Sequence, residues 1–567
     1  MTGFSWERSY PPGVRWDIEI PNRPLYAILD DAVAAHGPRV AVDFLGKTLT
    51  YAELGRLVDR AAAGFRRLGV AQGTRVGLFL PNSPQFIIAF FGVLRAGGIV
   101  VNMSPLDAAQ ELRHKAVDSG AEIVVTLDLN ALYPQMAKLL GTTGVKRLVV
   151  GTLQEMLPFP KNLLFPLVKR AEIARVPRDD SHTTFAALLD NDGRHEAAPV
   201  ADPADEVAVL QYTGGTTGLA KAAMLTHRNL YAAHCIYSEF CGGDEPSIGL
   251  GDDVFLAVLP LFHIFALQVN MLMGLSVGGR LILHPRFEIE AVLKDVAAKK
   301  PTVFPGVPAM YQAILNHPES ARYDLSSLRL CISGGAPLPL DTLQRFEART
   351  GTRITEGWGM TETSPAGTGN SQHSPYKEGS CGMPQPRIEI RVYDLETCTR
   401  VMPIGEKGEI CITGPNVMKG YWQRPEATAE AFNADGFFRT GDSGYIDEDG
   451  YVFLVDRIKD MLLVSGFNVY PRNIEEAIYQ HPDVEEVIVI GIDDAKRGQV
   501  PKAFIKLRAG AETLTLDALK DFLEDRIGRH EMVRAMELRG QLPKTPVGKL
   551  SKKELYAEEQ AKQAAAD

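Results

Sequence analysis

The chain has 567 residues, a formal net charge of −10, 45% hydrophobic residues and 23% charged residues. That balance fits a globular protein of several folding units, large enough to bury its cores without disulfide staples. The acidic excess argues against a general nucleic-acid binder, which needs a strongly basic surface.

Residues 1–13 show no basic stretch leading into an apolar run, so no secretory leader is expected. Residues 75–80 read as a short buried strand, 81–83 as a helix start and 84–94 as an apolar helix. The most apolar stretch, residues 86–103, is interrupted by Arg95, Gly97, Gly98 and Asn102. It therefore falls short of the ~18 uninterrupted residues of a membrane span, and a cytoplasmic location is expected. Further strands are expected at residues 122–127, 147–150, 254–259, 280–283 and 328–333, with helices at 288–300 and 340–350. Strands alternating with helices predict parallel sheets covered by helices.

Residues 158–178 mix Phe159, Leu163, Leu164, Phe165 and Leu167 with Lys161, Lys169, Arg170, Arg175 and Arg178. A basic amphipathic segment can rest on the inner face of an anionic membrane as a peripheral contact. The other reading is a helix packed on the domain with a solvated basic face, and Pro160 and Pro166 interrupt any long helix. Residues 192–204 read as a polar linker. After about residue 380 the texture turns to short strands and Gly/Asp-rich turns, at 388–393, 408–413 and 450–455. Beyond 456 come a helix (474–481), two strands (484–492, 503–507), a helix (516–528) and a tail from 557 expected to fray. The expected fold is α/β. A large N-terminal domain, residues 1–456, holds two parallel-rich sheets flanked by helices and a small β-rich subdomain from about 380. A small mobile α+β C-terminal domain, residues 457–567, is hinged near 456–459.

Cys235, Cys241, Cys331, Cys381, Cys398 and Cys411 form no C-x-x-C pair, so reduced, buried thiols are expected. The sharpest chemical feature is the run Tyr212-Thr-Gly-Gly-Thr-Thr-Gly-Leu-Ala-Lys221 after an apolar strand. Gly214, Gly215 and Gly218 let the backbone approach a ligand and turn its N–H groups inward. Thr213, Thr216 and Thr217 add hydroxyls and Lys221 a positive charge, a set suited to a triphosphate. It is not a P-loop, because Ala220 and Ala222 flank the lysine. No Gly-x-Ser-x-Gly nucleophile elbow is expected.

This loop resembles the phosphate loop of the adenylate-forming superfamily, which includes acyl-CoA synthetases, firefly luciferase and peptide-synthetase adenylation domains. The resemblance runs from about residue 25 to residue 555. It is nearest to bacterial long-chain fatty acid–CoA ligases, through residues 211–229, Leu259-Pro-Leu-Phe-His-Ile-Phe-Ala-Leu267 and residues 456–475. It implies ATP, Mg²⁺ and coenzyme A as the cofactors of a carboxylic-acid ligase, with residues 212–221 gripping the β- and γ-phosphates. By the same likeness Gly334, Gly335, Ala336 and Pro337 would line the adenine pocket, followed by the motif Glu356, Gly357, Trp358, Gly359, Met360, Thr361 and Glu362. Trp358, where relatives usually have Tyr, would stack on adenine. Thr361 would contact the α-phosphate, Glu362 would hold Mg²⁺, and Thr213 is a weaker metal-side candidate. Asp442 would accept the ribose hydroxyls and Arg457 would add a second ribose or phosphate contact. His263 would gate the pantetheine channel beside the acyl carboxylate. Lys549 would bridge carboxylate and α-phosphate, and Lys459 would be the hinge about which the segment around Gly466 is brought to CoA. Leu463 and Ser465 stand where some relatives carry lysines. Homodimers occur among relatives.

The resemblance implies acyl-pocket walls from residues 231–240, 262–275, 304–308 and 360–366. These are mostly apolar, with Phe265, Leu267, Met271 and Met273, which favours a fatty chain, long or medium. His234 is the donor that a dicarboxylic acid could use, and aromatic acids stay open. Two other readings are an acyl-AMP ligase loading a carrier protein and a catalytically silent nucleotide-binding protein. The joint presence of Lys221, Glu362, Asp442 and Lys549 speaks against the second.

Overall fold

The computed structural model describes residues 3–196, 198, 200–213, 220–464, 467–494, 497–511, 513–545 and 550–564. Among these, two large sheets carry about the first two-thirds of the chain. In one, the strands Val207–Tyr212, Ile99–Asn102, Arg75–Leu78, Ile123–Leu127, Arg147–Gly151 and His182–Thr184 lie side by side in parallel. Ala222–Thr226 and Gly420–Tyr421 extend it antiparallel. In the other, Val40–Phe44, Arg280–Leu283, Val254–Ala257, Val303–Gly306, Leu330–Ser333 and Ile354–Trp358 are parallel.

A parallel strand covered on both faces reads as a continuous apolar run rather than an alternation. Ile123–Leu127 is buried at every position. The helix Pro84–Arg95 is likewise buried on all sides, which is why its sequence is apolar all round. It packs on Tyr51–Arg67, whose start is a reciprocal cap: Thr50 Oγ1 accepts from Glu53 N at 3.2 Å and the Glu53 carboxylate accepts from Thr50 N at 2.8 Å.

The strands Glu389–Tyr393, Gly408–Thr413, Phe438–Ile446 and Val452–Arg457 form an antiparallel sheet. The last starts two residues later than expected, because Gly450 closes a turn on Asp447 with φ +85°. Past it, Val484–Asp494 and Gly498–Leu507 pair antiparallel and Ala535–Leu538 joins in parallel. The tail differs from expectation: Lys553–Ala564 is helical, anchored by Leu555, which is buried against Ile490 and Phe504.

One apolar core gathers residues between Ile18 and Val452, and separate cores gather residues from Leu462 to Leu555. Between them lies Asp456, whose carboxylate accepts from Arg457 N at 2.7 Å and Arg472 N at 2.9 Å. Across the seam Arg508 meets Asp341 at 3.5 Å, both side chains more than a third exposed. No described helix is long and apolar enough to cross a membrane.

Candidate active site

A cavity of about 1480 Å³ opens where strands of both large sheets end, and residues on both sides of Asp456 wall it. Open α/β sheets bind ligands at such strand ends. Thr213 and Lys221 line it from one sheet, and Gly334, Gly335 and all of residues 356–362 from the other. Arg457, Lys459, Thr545, Leu550, Ser551 and Lys552 close it. Of the other expected residues, Ala336, Pro337 and Asp442 lie outside the lining, Asp442 being buried behind Trp358 and Arg457, which bond to it. Gly214, Gly215, Thr216, Thr217, Gly218, Gly466 and Lys549 lie outside the described residues.

The turn after Ile354–Trp358 explains one invariant of its shape. A Cβ on Gly359 would sit 1.6 Å from the carbonyl oxygen of Pro365, so no larger residue fits without moving the loop. Glu356 beneath it accepts from Leu338 N at 3.0 Å, and burial pushes its carboxyl up to about 7. Trp358 turns its indole N–H onto Asp442 Oδ2 at 2.9 Å, while Arg457 Nε lies 2.7 Å from Oδ1. Trp358 is therefore a hydrogen-bond partner of the buried carboxylate, a role that the stacking expectation leaves out. Burial raises the Asp442 pKa, and Arg457 and the indole N–H oppose that rise.

Glu362 is the metal-side candidate. Burial raises its pKa, and the Tyr421 hydroxyl, donating to Oε1 at 2.8 Å, works against the shift. The Lys221 ammonium stands 5.1 Å from the centre of the same tyrosine ring. A carboxylate destabilised by burial at the mouth of a phosphate loop fits Mg²⁺, which takes one or two carboxylates and leaves the remaining positions to phosphates and water. His263 lines the cavity and its Nδ1 accepts from Phe265 N at 3.4 Å, capping the short helix Ile264–Ala266. Lys459 is pushed below its usual pKa, mainly by burial and also by Arg457.

Some expectations fail on the apolar side. Phe262, His263, Ile264 and Phe265 line the cavity, but Leu267, Met271, Met273 and Phe304 are fully buried core residues outside the lining. His234 also lies outside the lining. Its Nδ1 is 3.4 Å from Ser238 Oγ, and burial lowers its pKa to about 4. Tyr237 and Phe240, within the expected stretch 231–240, line the wall, and Cys241 just past the helix His227–Phe240 joins them. The pattern Gly-x-Ser-x-Gly does occur, at residues 274–278, against the expectation of none. It is no nucleophile elbow: Ser276 ends the helix Met273–Ser276 and its hydroxyl donates back to Met273 O at 2.8 Å.

Two participants escaped the sequence reading. Tyr421 reaches Glu362 only because Gly420–Tyr421 pairs with Ala223 and Met224. Lys552 lies 3.5 Å from Glu475 and its pKa is raised by Glu475 and Asp456 against the effect of burial. The six cysteines are free thiols, although Cys398 and Cys411 approach to 3.6 Å beside Glu409.

Lys221, Glu362, Trp358 and Arg457 thus line one cavity, with a wall shared by two separately cored lobes. A family model described as AMP-binding enzyme matches residues 29–422, and one described as AMP-binding enzyme C-terminal domain matches residues 473–549. The long-chain-fatty-acid–CoA ligase of Bacillus subtilis (strain 168) is 38% identical over 557 residues, 98% of each chain. ATP-bound MatB from Rhodopseudomonas palustris superposes with a TM-score of 0.82 at 30% identity, covering 95% of this chain and 99% of that one. The anthranilate CoA ligase AuaEII with anthranoyl-AMP gives 0.85 at 25% identity, covering 96% and 99%. The chain belongs to the AMP-binding enzyme family and is an adenylate-forming ligase.

Proposed function

We propose that the protein is an ATP-dependent acyl-CoA ligase for long- or medium-chain fatty acids, built as domains 1–456 and 457–567 about a hinge at 456–459. The observation that carries this reading is a single cavity joining Lys221, Glu362, Trp358 and Arg457, the last two both bonded to the buried Asp442, to an apolar wall of Tyr237, Phe240, Phe262, Ile264 and Phe265. That wall has the character of a hydrocarbon subsite, and the fatty acid named for the Bacillus relative fits it.

In the first half-reaction a carboxylate oxygen attacks the α-phosphorus of ATP and pyrophosphate leaves. Asp442 and Arg457 hold the ribose, Thr361 contacts the α-phosphate and Lys221 faces the departing phosphates. Lys549 bridges the attacking carboxylate and the α-phosphate, where a fixed cation stabilises charge developing in the transition state. Glu362 holds Mg²⁺, which when bound neutralises phosphate charge. In the second half-reaction the CoA sulfur attacks the acyl carbon, AMP leaves with the C–O electron pair, and His263 guards the thiol's approach. The chain contributes position and charge rather than a side-chain nucleophile.

The test is pyrophosphate release from ATP with a panel of acids, with and without CoA. Release with fatty acids and CoA-dependent turnover are expected, and no release with any acid refutes the reading. Lys549→Ala is expected to abolish acyl-AMP formation while sparing thioester formation from supplied acyl-AMP, and equal loss of both refutes its role.

Peripheral contact with a membrane is part of the same proposal. Phe159, Leu163, Leu164, Leu167 and Val168 are each at least half exposed around the helix Lys161–Val168. Lys161, Lys169 and Arg170 flank them. An apolar tip ringed by cations complements an anionic bilayer surface.

A further inference from the structure

Residues 3–16 precede the matched family region, which begins at residue 29. They form a strap with one turn of helix, Ser5–Ser9, and run along the outside of the cavity wall. Trp6 is buried in a cluster with Phe240, Met383 and Tyr451. The Tyr10 ring stands edge-on to Phe240, centroids 6.1 Å apart, and its hydroxyl donates to Pro384 O at 2.6 Å. Pro12 O accepts from Asp244 N at 2.9 Å, and Arg15 N donates to Glu239 Oε1 at 2.9 Å. The approach is close: at Gly13, with φ +80°, a Cβ would lie 2.5 Å from Asp244 Oδ1. Trp16 Nε1 ends the strap on Ile388 O at 3.1 Å.

Phe240 and Cys241 face the cavity directly on the other side of this contact. Phe240 has no slack there, since its Cε1 is 2.9 Å from where a Cβ on Gly369 would stand, and Gly369 also lines the cavity. Phe240 is thus held between the β-sheet inside and Tyr10 outside. Packed interiors respond to a displaced ring by opening space rather than by smooth deformation.

We propose that the N-terminal strap is the backing of the acyl-pocket wall, and that Tyr10, by fixing Phe240, is a positioning residue that limits acyl-chain length. The proposal rests on the fatty-acid reading of the cavity. Tyr10 touches no substrate, so its substitution moves the chain-length profile rather than the nucleotide steps.

The test is kcat/KM for a saturated series from octanoate to octadecanoate in the full-length enzyme. Tyr10→Ala is expected to raise the octadecanoate-to-dodecanoate ratio about fivefold or more, the scale of a methylene-sized change in an apolar pocket. The KM for ATP should stay within about twofold of wild type, because nucleotide contacts are untouched. Tyr10→Phe keeps the ring against Phe240 and should keep the wild-type profile. Should Tyr10→Ala fail to fold, Tyr10→Leu, which refills part of the space without an aromatic edge, is measured the same way with the same shift expected. A folded variant with an unmoved ratio, or a shift shared by Tyr10→Phe, overturns the strap's role. A wild-type enzyme that activates no acid of the series overturns the fatty-acid reading instead.

Discussion

Tyr421→Phe is the most direct probe of the charge balance at Glu362. The variant removes one hydroxyl that donates at 2.8 Å to a carboxylate whose pKa burial already raises. A hydrogen bond to a charged group contributes about 1.5–3 kcal/mol, and about 1.4 kcal/mol corresponds to one pKa unit. Arg457 continues to favour the charged form, so the lower end of that range applies and the Glu362 pKa should rise further. The ionised form is the one that serves a cation. Activity is therefore lost as pH falls through this pKa, and raising the pKa moves that loss toward neutrality. The assay is the pH dependence of kcat/KM for acid-dependent pyrophosphate release at fixed magnesium. The acid limb should shift upward in the variant while the plateau at higher pH is retained. An acid limb that stays where it is in wild type refutes the argument that Tyr421 holds Glu362 ionised.

Glu356 carries a pKa of about 7 in the folded protein against 4.5 when unperturbed. The native state then binds this proton more tightly than the unfolded chain, so this group withdraws stability as pH rises from about 4.5 to about 7, by an amount on the order of 2–3 kcal/mol. Glu356→Gln should flatten the fall in thermal stability across that window, and an unchanged slope contradicts it. Gly359→Ala drives a Cβ into the Pro365 carbonyl and should reduce adenylation by about a hundredfold or more with the far-UV spectrum intact, as expected when reacting groups are displaced. Near-normal turnover in this variant contradicts the geometry. Leu163→Ser with Leu167→Ser should lower the affinity for anionic vesicles, read by co-flotation, by about a hundredfold or more, since each buried side chain contributes about 1.5–3 kcal/mol, while activity on a soluble short acid persists. Equal flotation of variant and wild type contradicts membrane contact.

The parallel strands were readable because burial on both faces leaves an apolar signature, as in Ile123–Leu127. The motif around Glu356–Glu362 was readable because glycine at 359 and carboxylates at 356 and 362 serve one tight turn. The acyl wall was legible only as stretches: Tyr237, Phe240, Phe262, Ile264 and Phe265 fall inside the expected ranges, but so do core residues. Apolarity marks a residue as buried without saying whether it faces core or cavity, so Met271 and Met273 look like Phe265 in sequence. The segment Leu267–Leu272, which holds Met271, winds as a π-helix, which turns side chains away from the 3.6-residue spacing. Tyr421 was invisible for another reason: it meets Glu362 through a strand pairing with residues about two hundred positions away, and no local pattern encodes that register. For residues 158–178 both a packed and a membrane-facing helix fitted the composition. The exposure of Leu163 and Leu167 shows that these side chains do not pack on the domain, which is the basis of the proposed membrane contact.

The seam between the two lobes has its own chemical consequence. The apolar cores stop short of it, the ion pair of Arg508 with Asp341 is solvated, and the smaller lobe presents Thr545, Ser551, Lys552 and Lys553 to the cavity. Solvated ion pairs contribute about 0–1 kcal/mol each, and wet polar faces separate without exposing oil to water. The hinge proposed at 456–459 gains from such a joint, because the lobes could shift against each other without either unfolding.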